Sequence, residues 1–341
     1  MMRPLSPHPL LRLALALAFA PAVLACSGGG SESAGETADT ADTADTADTA
    51  DTDDSGGDST ILVGTFKVEL VAPTVTMTEG QTAVLGKVYD GPSLDTIVWE
   101  AAVSDGDCTL STPRVPFCST PCGGSAACVE DETCADYPLA HGAGTVTISG
   151  LQVDGGGTLS MDPINNTYQP VGQKLLYPAF AEGDDLHLEA EGDFFSAFSI
   201  HGKGIAQLAG VPDSIPLTKG SPATVSWTAP GDPSLSSVHV KIDISHHGGT
   251  KGMIECDTAD DGSLEVPAAL ISQLLDLGVA GYPTFVVSRS AVGSRTIAEG
   301  RVDLVVTSSL ERAIEIAGLE SCTDNSQCTG GLTCQDDLTC G

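Results

Sequence analysis

The amino-acid sequence predicts an all-β protein with two sandwich-like domains, at residues 61–210 and 211–320. Short runs in which apolar and polar residues alternate recur through this part of the chain, between clusters of Gly, Pro, Asp and Ser. Alternation with a period of two is typical of half-buried antiparallel strands. About 260 residues are more than one small sandwich needs, so two domains are expected.

The strand pattern is clearest at residues 66–70, 145–148, 238–244 and 302–306. One short helix is expected between Pro267 and Gly278, because leucines and isoleucine at 270, 271, 274 and 275 share one face. Proline is favoured in the first turn of a helix and glycine just past its end. A strand at 263–266 precedes this helix, which we interpret as a packing element without a chemical role.

A linker is expected at residues 209–216, which contain Gly210, Pro212 and Pro216. The run that follows it, Ala-Thr-Val-Ser-Trp-Thr-Ala-Pro at 223–230, resembles an early strand of immunoglobulin and fibronectin type III domains. This resemblance implies that the second domain is immunoglobulin-like and that Trp227 anchors its core.

The sequence predicts an export signal at the amino terminus. Arg3 and Arg12 accompany an apolar run at 13–20, and Val-Leu-Ala precedes Cys26. The arrangement resembles the lipobox of bacterial lipoproteins, which implies removal of residues 1–25 and acylation of Cys26. Ser27, by resemblance to enterobacterial lipoproteins, implies the outer membrane. An ordinary secretory signal with a chance cysteine is the alternative; a membrane span is not expected, because it needs about 20 apolar residues.

Residues 26–60 form an acidic tether of Ser, Gly and repeated Thr-Ala-Asp triplets, with no basic and no large apolar residue. Such a composition predicts disorder, and repulsion between like charges extends the segment. The run Asp51-x-Asp53-x-Ser55-Gly56 begins like a calcium-binding EF-hand loop. Leu62 stands where that loop needs a bidentate acid, which favours a plain tether.

The charge limits the partners. The chain carries a net charge of −32, and from Ile61 onward 12 basic residues face 36 acidic ones. Such a protein is not expected to bind nucleic acid or anionic lipid through its charge. A cationic, neutral or calcium-bridged partner is compatible with it, although solubility alone also explains the acidity.

Eleven cysteines are present, and assigning Cys26 to the lipid leaves ten. In an exported chain an even number predicts disulfides. They lie at Cys108, Cys118, Cys122, Cys128, Cys134, Cys256, Cys322, Cys328, Cys334 and Cys340. If the last four pair among themselves, Cys256 bonds to one of the first five and joins the two halves of the protein.

The two cysteine clusters repeat one pattern. Residues 122–134 match residues 328–340, with five residues between successive cysteines, an acidic pair, and Thr before the last cysteine. The tail resembles the amino-terminal cysteine-rich region of Dickkopf proteins, and similar runs recur in surface lipoproteins of myxobacteria. The resemblance implies a small disulfide-stapled module at 321–341, and the first cluster predicts a stapled insert at 104–137. Zinc is the alternative, but among neighbouring cysteines only Cys118-x3-Cys122 has a spacing suited to it.

Few residues suggest catalysis. His246 and His247 end a strand and open a glycine-rich turn, where they are able to bind a divalent metal with Asp243 or Asp257. This turn supports the alternative function, a metal-dependent hydrolase. His187 and His201 lie in strand-like segments without an assigned role. The chain lacks a Gly-x-Ser-x-Gly elbow, a phosphate loop, a dinucleotide fingerprint and a His-Glu-x-x-His motif.

These observations predict a lipid-anchored, surface-displayed and non-catalytic binding or structural module of the bacterial envelope, without a cofactor. Its partners are expected to be the membrane, through the lipid, and an extracellular or envelope protein or glycan. Loops at the ends of the sandwiches or the stapled insert are expected to carry binding. Within the insert, Glu130, Asp131 and Glu132 suit a cationic or calcium-bridged partner, or form a solvated acidic loop.

Overall fold

A computed structural model of the chain describes residues 58–74 and 77–341. The expected signal peptide, Cys26, the EF-hand-like run and nearly all of the tether lie outside the described residues. Within the described part, no helix has the length and apolarity needed to cross a membrane.

Strands dominate the described residues, so the all-β prediction is confirmed. In chain order they are β1 (Leu62–Val71), β2 (Gln81–Tyr89), β3 (Val98–Asp105), β4 (Cys108–Arg114), β5 (Ala126–Glu130), β6 (Thr133–Asp136), β7 (Ala140–His141), β8 (Val146–Ser149), β9 (Leu159–Met161), β10 (Asp185–Ala190), β11 (Phe198–Lys203), β12 (Ser214–Leu217), β13 (Ala223–Ser226), β14 (Ser237–Asp243), β15 (Met253–Ala259), β16 (Ser263–Val266), β17 (Thr284–Ile297) and β18 (Gly300–Ile316). One α-helix, α1 (Ala268–Asp276), accompanies them in this part of the chain.

The largest sheet has the strand order β3-β4-β15-β14-β17-β18-β1-β2-β7, and β12 also pairs with β18. Its centre is the long hairpin of β17 and β18. Strand β1 runs parallel to β18, with Phe66 opposite Leu304 and Val68 opposite Val306. The first and last strands of the fold are therefore neighbours. A second sheet has the order β11-β10-β8-β9, and β13 pairs with β16.

Two apolar cores lie along this sheet. The first is formed by buried residues of β1, β2 and β18 together with those of the β11-β10-β8-β9 sheet. The second is formed by β14, β15 and β17 together with β12, β13, β16 and α1. Each strand contributes alternate residues, as the period-two pattern predicts. Both halves are sandwich-like, and each core packs against a different part of the common sheet.

The two cores exchange strands across the expected domain boundary. Most of the first core comes from residues up to Ile205, and most of the second comes from residues after Leu208. The first core also includes four residues between Ile297 and Val306, and the second includes Cys108 and Leu110. The linker prediction is wrong at residues 214–216, which belong to β12. Strand β12 pairs with β18 over four residues and buries Ile215, so this segment is part of the fold. The domain bounds stay a prediction.

Helix α1 has the predicted position. Pro267 precedes its first residue, and Gly278 follows its end with a φ of +87°, a conformation that glycine adopts without strain. Leu270, Ile271 and Leu274 are fully buried in the second core. The helix thus packs as expected, and no described contact gives it a chemical role.

Trp227 is a core anchor, as its resemblance to early sandwich strands implies. It is 5 % exposed, and its indole Nε1 donates to Asp260 Oδ1 at 2.7 Å. Asp260 also accepts hydrogen bonds from Ser236 and from Arg289, which donates Nε to Oδ2 at 2.5 Å and Nη2 to Oδ1 at 2.8 Å. Burial raises the pKa of Asp260, but these hydrogen bonds more than offset it and lower the pKa below its ordinary value.

The same guanidinium joins the two halves of the chain. Arg289 is 1 % exposed, and its Nη1 donates to the carbonyls of Ala206 and Gln207, where the chain passes from the first core to the second. Its Nη2 donates to the carbonyl of Thr228 at 2.7 Å. The segment that connects the cores is therefore fixed to β17 by hydrogen bonds from a buried guanidinium.

Candidate functional site

All ten cysteines of the described part form disulfides. The pairs are Cys108–Cys256, Cys118–Cys128, Cys122–Cys134, Cys322–Cys334 and Cys328–Cys340. In each cluster three sulfurs lie within 4.8 Å of one another, a spacing that also suits a metal ion. Because metal binding requires thiolates and these sulfurs are bonded to one another, the geometry favours disulfides over zinc.

The Cys108–Cys256 disulfide joins β4 to β15. These two residues lie opposite each other in the antiparallel register and are almost fully buried. It is the covalent link between the halves that the count of cysteines requires. Because Cys108 lies in a strand of the main sheet, the stapled part of the insert begins only after Arg114.

The stapled insert is a small hairpin of β5 and β6 with two crossed disulfides. The chain leading into it, residues 115–119, runs along the hairpin turn. Glu132 N donates to the carbonyl of Phe117 at 3.0 Å, and Phe117 N donates to Asp131 Oδ1 at 3.0 Å. Ser119 donates its backbone N–H and its hydroxyl to Glu132. The disulfides and these bonds hold the insert in one conformation.

The three acidic residues at 130–132 of the insert differ in their contacts. Asp131 and Glu132 hold the hairpin together, and Asp131 also accepts a hydrogen bond from Arg114 at 3.1 Å. Arg114 also donates to Glu100 at 2.6 Å; this bond and the charges of Asp131, Glu100 and Glu130 raise the pKa of Arg114. Three carboxylates surround one guanidinium, so the local charge stays negative.

Large apolar side chains are exposed on both segments that connect the insert to the sheet. Val115 is 71 % exposed and Phe117 is 70 % exposed, on either side of a buried Pro116. On the way out, Tyr137 is 49 % exposed and Leu139 is 63 % exposed. Exposed apolar side chains on a small module, beside polar residues, are compatible with an interaction site.

The carboxy-terminal module repeats the architecture of the insert. In both, the first cysteine pairs with the third and the second with the fourth. Cys128 lies opposite Cys134 as Cys334 lies opposite Cys340. Two residues before the last cysteine, Glu132 and Leu338 both have a φ of +61°. The two sequence repeats are therefore two copies of one structural module.

The two copies differ in what they contact. In the tail, Ser321 precedes the first cysteine, and its hydroxyl donates to the carbonyl of Gly281 at 2.6 Å. Gly281 N donates to the carbonyl of Asp337 at 2.6 Å, so the tail makes hydrogen bonds with both the N–H and the carbonyl of Gly281. The equivalent positions in the insert are Phe117 and Asp131, and both are exposed. The face that docks the tail is thus exposed to solvent in the insert.

The structure does not bring the predicted metal ligands of the histidine turn together. His246 and His247 lie in the turn after β14, with ring centroids 4.0 Å apart, and His246 Nε2 is 3.7 Å from Glu311 Oε1. Asp243 instead accepts hydrogen bonds from Ser245, and Asp257 binds a different histidine. The carboxylate that pairs with His246 is one that the sequence did not indicate, because β18 contributes it from 65 positions away.

A shallow cleft of about 390 Å³ lies beside this turn. Tyr282, Thr284, Glu311, Arg312 and Ser321 contribute polar groups to its lining. Ser321 belongs to the tail, so the docked module forms one wall. The other wall is the open end of the β17–β18 hairpin, where β17 begins and β18 ends.

The histidine that binds Asp257 is His239 on β14. Its Nδ1 lies 2.9 Å from Asp257 Oδ1, and its Nε2 lies 3.5 Å from Glu255 Oε1. The hydrogen bond to Asp257 and the one to Glu255 raise the pKa of His239 to about 9. Both carboxylates lie on the neighbouring β15, so this group is a cross-strand ion cluster that is charged at neutral pH.

No protein-family model matches the chain, and no curated protein shows significant similarity to it. Function is therefore inferred from the geometry of the modules.

Proposed function

We propose that this protein is a lipid-anchored, surface-displayed binding module of the bacterial envelope. Acyl chains on Cys26 hold it at the outer membrane, and the acidic tether at 26–60 keeps the folded part away from the lipid surface. The stapled insert is the surface that contacts the partner. No catalytic step is assigned to it.

Five disulfides support an export route, because disulfides persist in oxidising compartments outside the cytoplasm. The observation that carries the proposal is the difference between the two modules. One copy uses its face to bind a protein surface within the chain, and the other presents the equivalent face, with Phe117 in it, to solvent. A pre-formed, rigid face lowers the entropic cost of binding.

The chemistry of the partner follows from that face. Val115 and Phe117 supply apolar contact area beside Glu130 and the carboxylates around Arg114. Residues 104–137 contain six acidic residues and one basic residue. The complementary partner is an envelope or extracellular protein that presents basic side chains around an apolar pocket.

The test compares pull-downs of surface proteins with three forms of the chain. We expect a partner captured by the unaltered chain to be lost with Val115→Ser plus Phe117→Ser, and also when the insert is shortened to a Gly-Ser turn. Val171→Ser is the matched control, because Val171 is 62 % exposed and lies outside the insert. Retention of the partner by both insert variants contradicts the proposal.

The hydrolase alternative is tested with His246→Ala plus His247→Ala. If this variant loses a measurable hydrolytic activity while the insert variants keep partner binding, the metal-dependent function replaces the binding module.

The lipid anchor has its own test. Cys26→Ser should remove fatty-acid labelling and release the protein from membranes, because the acyl chains hold it there. Labelling that persists in Cys26→Ser contradicts the lipoprotein assignment.

A further inference from the structure

A pair of histidines lies on the outer face of the four-stranded sheet, far in sequence from the turn at 246–247. His187 on β10 is directly opposite His201 on β11 in the antiparallel register. Their imidazole rings are parallel within 5°, with centroids 4.2 Å apart. Directly opposed residues of two strands have Cβ atoms about 4.5–5.5 Å apart, which lets both side chains reach one small ligand.

Glu189 adds a carboxylate to this pair. It follows His187 by two residues and therefore lies on the same face of β10. Its Oε1 is 3.7 Å from His187 Nδ1. A zinc ion about 2.1 Å from each ligand spans donor atoms up to about 4.2 Å apart, so the nitrogen and oxygen are already spaced to bind one ion.

The two ring nitrogens of His187 have different surroundings. His187 Nε2 is buried and has no hydrogen-bond partner, although the side chain as a whole is 30 % exposed. A neutral imidazole carries one proton, and the nitrogen that binds a metal carries none. Nδ1, which faces Glu189, is therefore the nitrogen available to a metal ion, and in the metal-bound form the proton is on Nε2.

We propose that His187, His201 and Glu189 form a binding site for a late first-row divalent metal ion, such as Zn²⁺, Cu²⁺ or Ni²⁺. Two imidazoles with one carboxylate are the donors that these ions prefer, whereas Ca²⁺ and Mg²⁺ prefer sites made of oxygen. Bound metal links β10 to β11 across the sheet surface. This site is independent of the proposed binding function, since it is not part of the insert.

Metal binding requires one movement. Among the described residues, only cysteine groups place three donor atoms within 4.8 Å of one another, so the three donors here do not yet converge. The parallel rings direct their lone pairs side by side rather than toward a common point. His201 is exposed and therefore free to change rotamer, while Glu189 and His187 keep their present spacing.

The experiment is calorimetric titration of the tag-free full-length chain, in detergent, with ZnCl₂, NiCl₂ and CaCl₂. We expect one equivalent of Zn²⁺ or Ni²⁺ to bind and Ca²⁺ not to compete with it. His187→Ala and His201→Ala should each weaken binding by about tenfold or more. The paired variant His246→Ala with His247→Ala is the control and should bind as the unaltered chain does. His201→Gln, with circular dichroism of every variant, shows whether a loss of binding reflects a loss of fold.

A second measurement locates the ion. Paramagnetic Ni²⁺ should broaden the imidazole NMR signals of His187 and His201 before those of His239. Absence of stoichiometric binding, or binding that both His→Ala variants retain, overturns the proposal. Binding that disappears only in the His246 and His247 variant also overturns it and assigns the metal to the turn.

Discussion

Asp260→Asn is expected to destabilise the fold strongly, because it removes the charge that compensates the buried Arg289. Asp260 is fully buried and accepts hydrogen bonds from Arg289, Trp227 and Ser236. Asparagine has one acceptor oxygen, and its amide donors would face other donors. Breaking a buried ion pair by removing one partner costs about 3–5 kcal/mol. That is a large part of the roughly 5–15 kcal/mol by which domains are stable.

The magnitude can be separated from simple loss of packing with a double-mutant cycle. Arg289→Met alone leaves Asp260 as an uncompensated buried charge and is also expected to be costly. In the double variant, Asp260→Asn with Arg289→Met, neither charge remains. The double variant should therefore be less destabilised than the sum of the single variants, by about 2 kcal/mol.

The assay is urea unfolding in oxidising buffer, followed by tryptophan fluorescence, to which Trp227 contributes from within the network. The matched control is Asp185→Asn, because Asp185 pairs with Lys203 at the surface, with side chains 85 % and 47 % exposed. Exposed pairs contribute about 0–1 kcal/mol. A loss below about 1 kcal/mol for Asp260→Asn, or single-variant effects that simply add, refutes the reasoning.

Three other predictions concern the cross-links and the ion cluster. The folded pKa of His239, about 9, is above its unfolded value of about 6.5, so its stabilisation is complete below about pH 6.5 and is lost as pH rises through about 9. Asp257→Asn should lower this pKa in an NMR titration; an unchanged pKa would exclude the pairing as its cause. Cys108→Ala with Cys256→Ala should lower the free energy of unfolding in urea by about 2–5 kcal/mol, and an unchanged midpoint would contradict this. Gly281→Ala places a Cβ 2.1 Å from the carbonyl oxygen of His246, at a φ of +58° that alanine rarely adopts. This substitution should increase amide hydrogen exchange in the tail, and unchanged protection of the tail amides would contradict the docking.

The alternating runs in the sequence predicted the strands that bury one face, but other strands had no such signal. Strand β3 has a largely exposed burial pattern and lies at the end of the sheet, so its sequence has no apolar period. Strand β12 is four residues long and contains Pro216, which made it resemble a linker. The parallel pairing of β1 with β18 joins residues more than 200 positions apart, and neither run specifies its neighbour.

The disulfides of the candidate site were predictable from the sequence, whereas its non-covalent contacts were not. If the four tail cysteines pair among themselves, parity requires a link from Cys256 to the first cluster, because each bond uses two sulfurs. The choice of Cys108 depends on the register of β4 against β15, which the sequence does not specify. The acidic residues at 130–132 were visible, but their bonds to Phe117 and Ser119 depend on how the connecting chain folds back along the hairpin.

The stapled insert and the tail have the same disulfide pairing but make different contacts. The disulfides fix the same backbone shape in both, so the residues between the cysteines decide what each copy binds. Ser321 is small enough for the tail to reach the peptide of Gly281, and a side chain at that glycine would clash with the histidine turn. Phe117 occupies the equivalent place in the insert and is too large for such a close backbone contact. A partner of the insert therefore needs a pocket for an aromatic ring, and Phe117→Leu should bind better than Phe117→Ser, whereas equal binding by the two variants would show that this ring does not enter the interface.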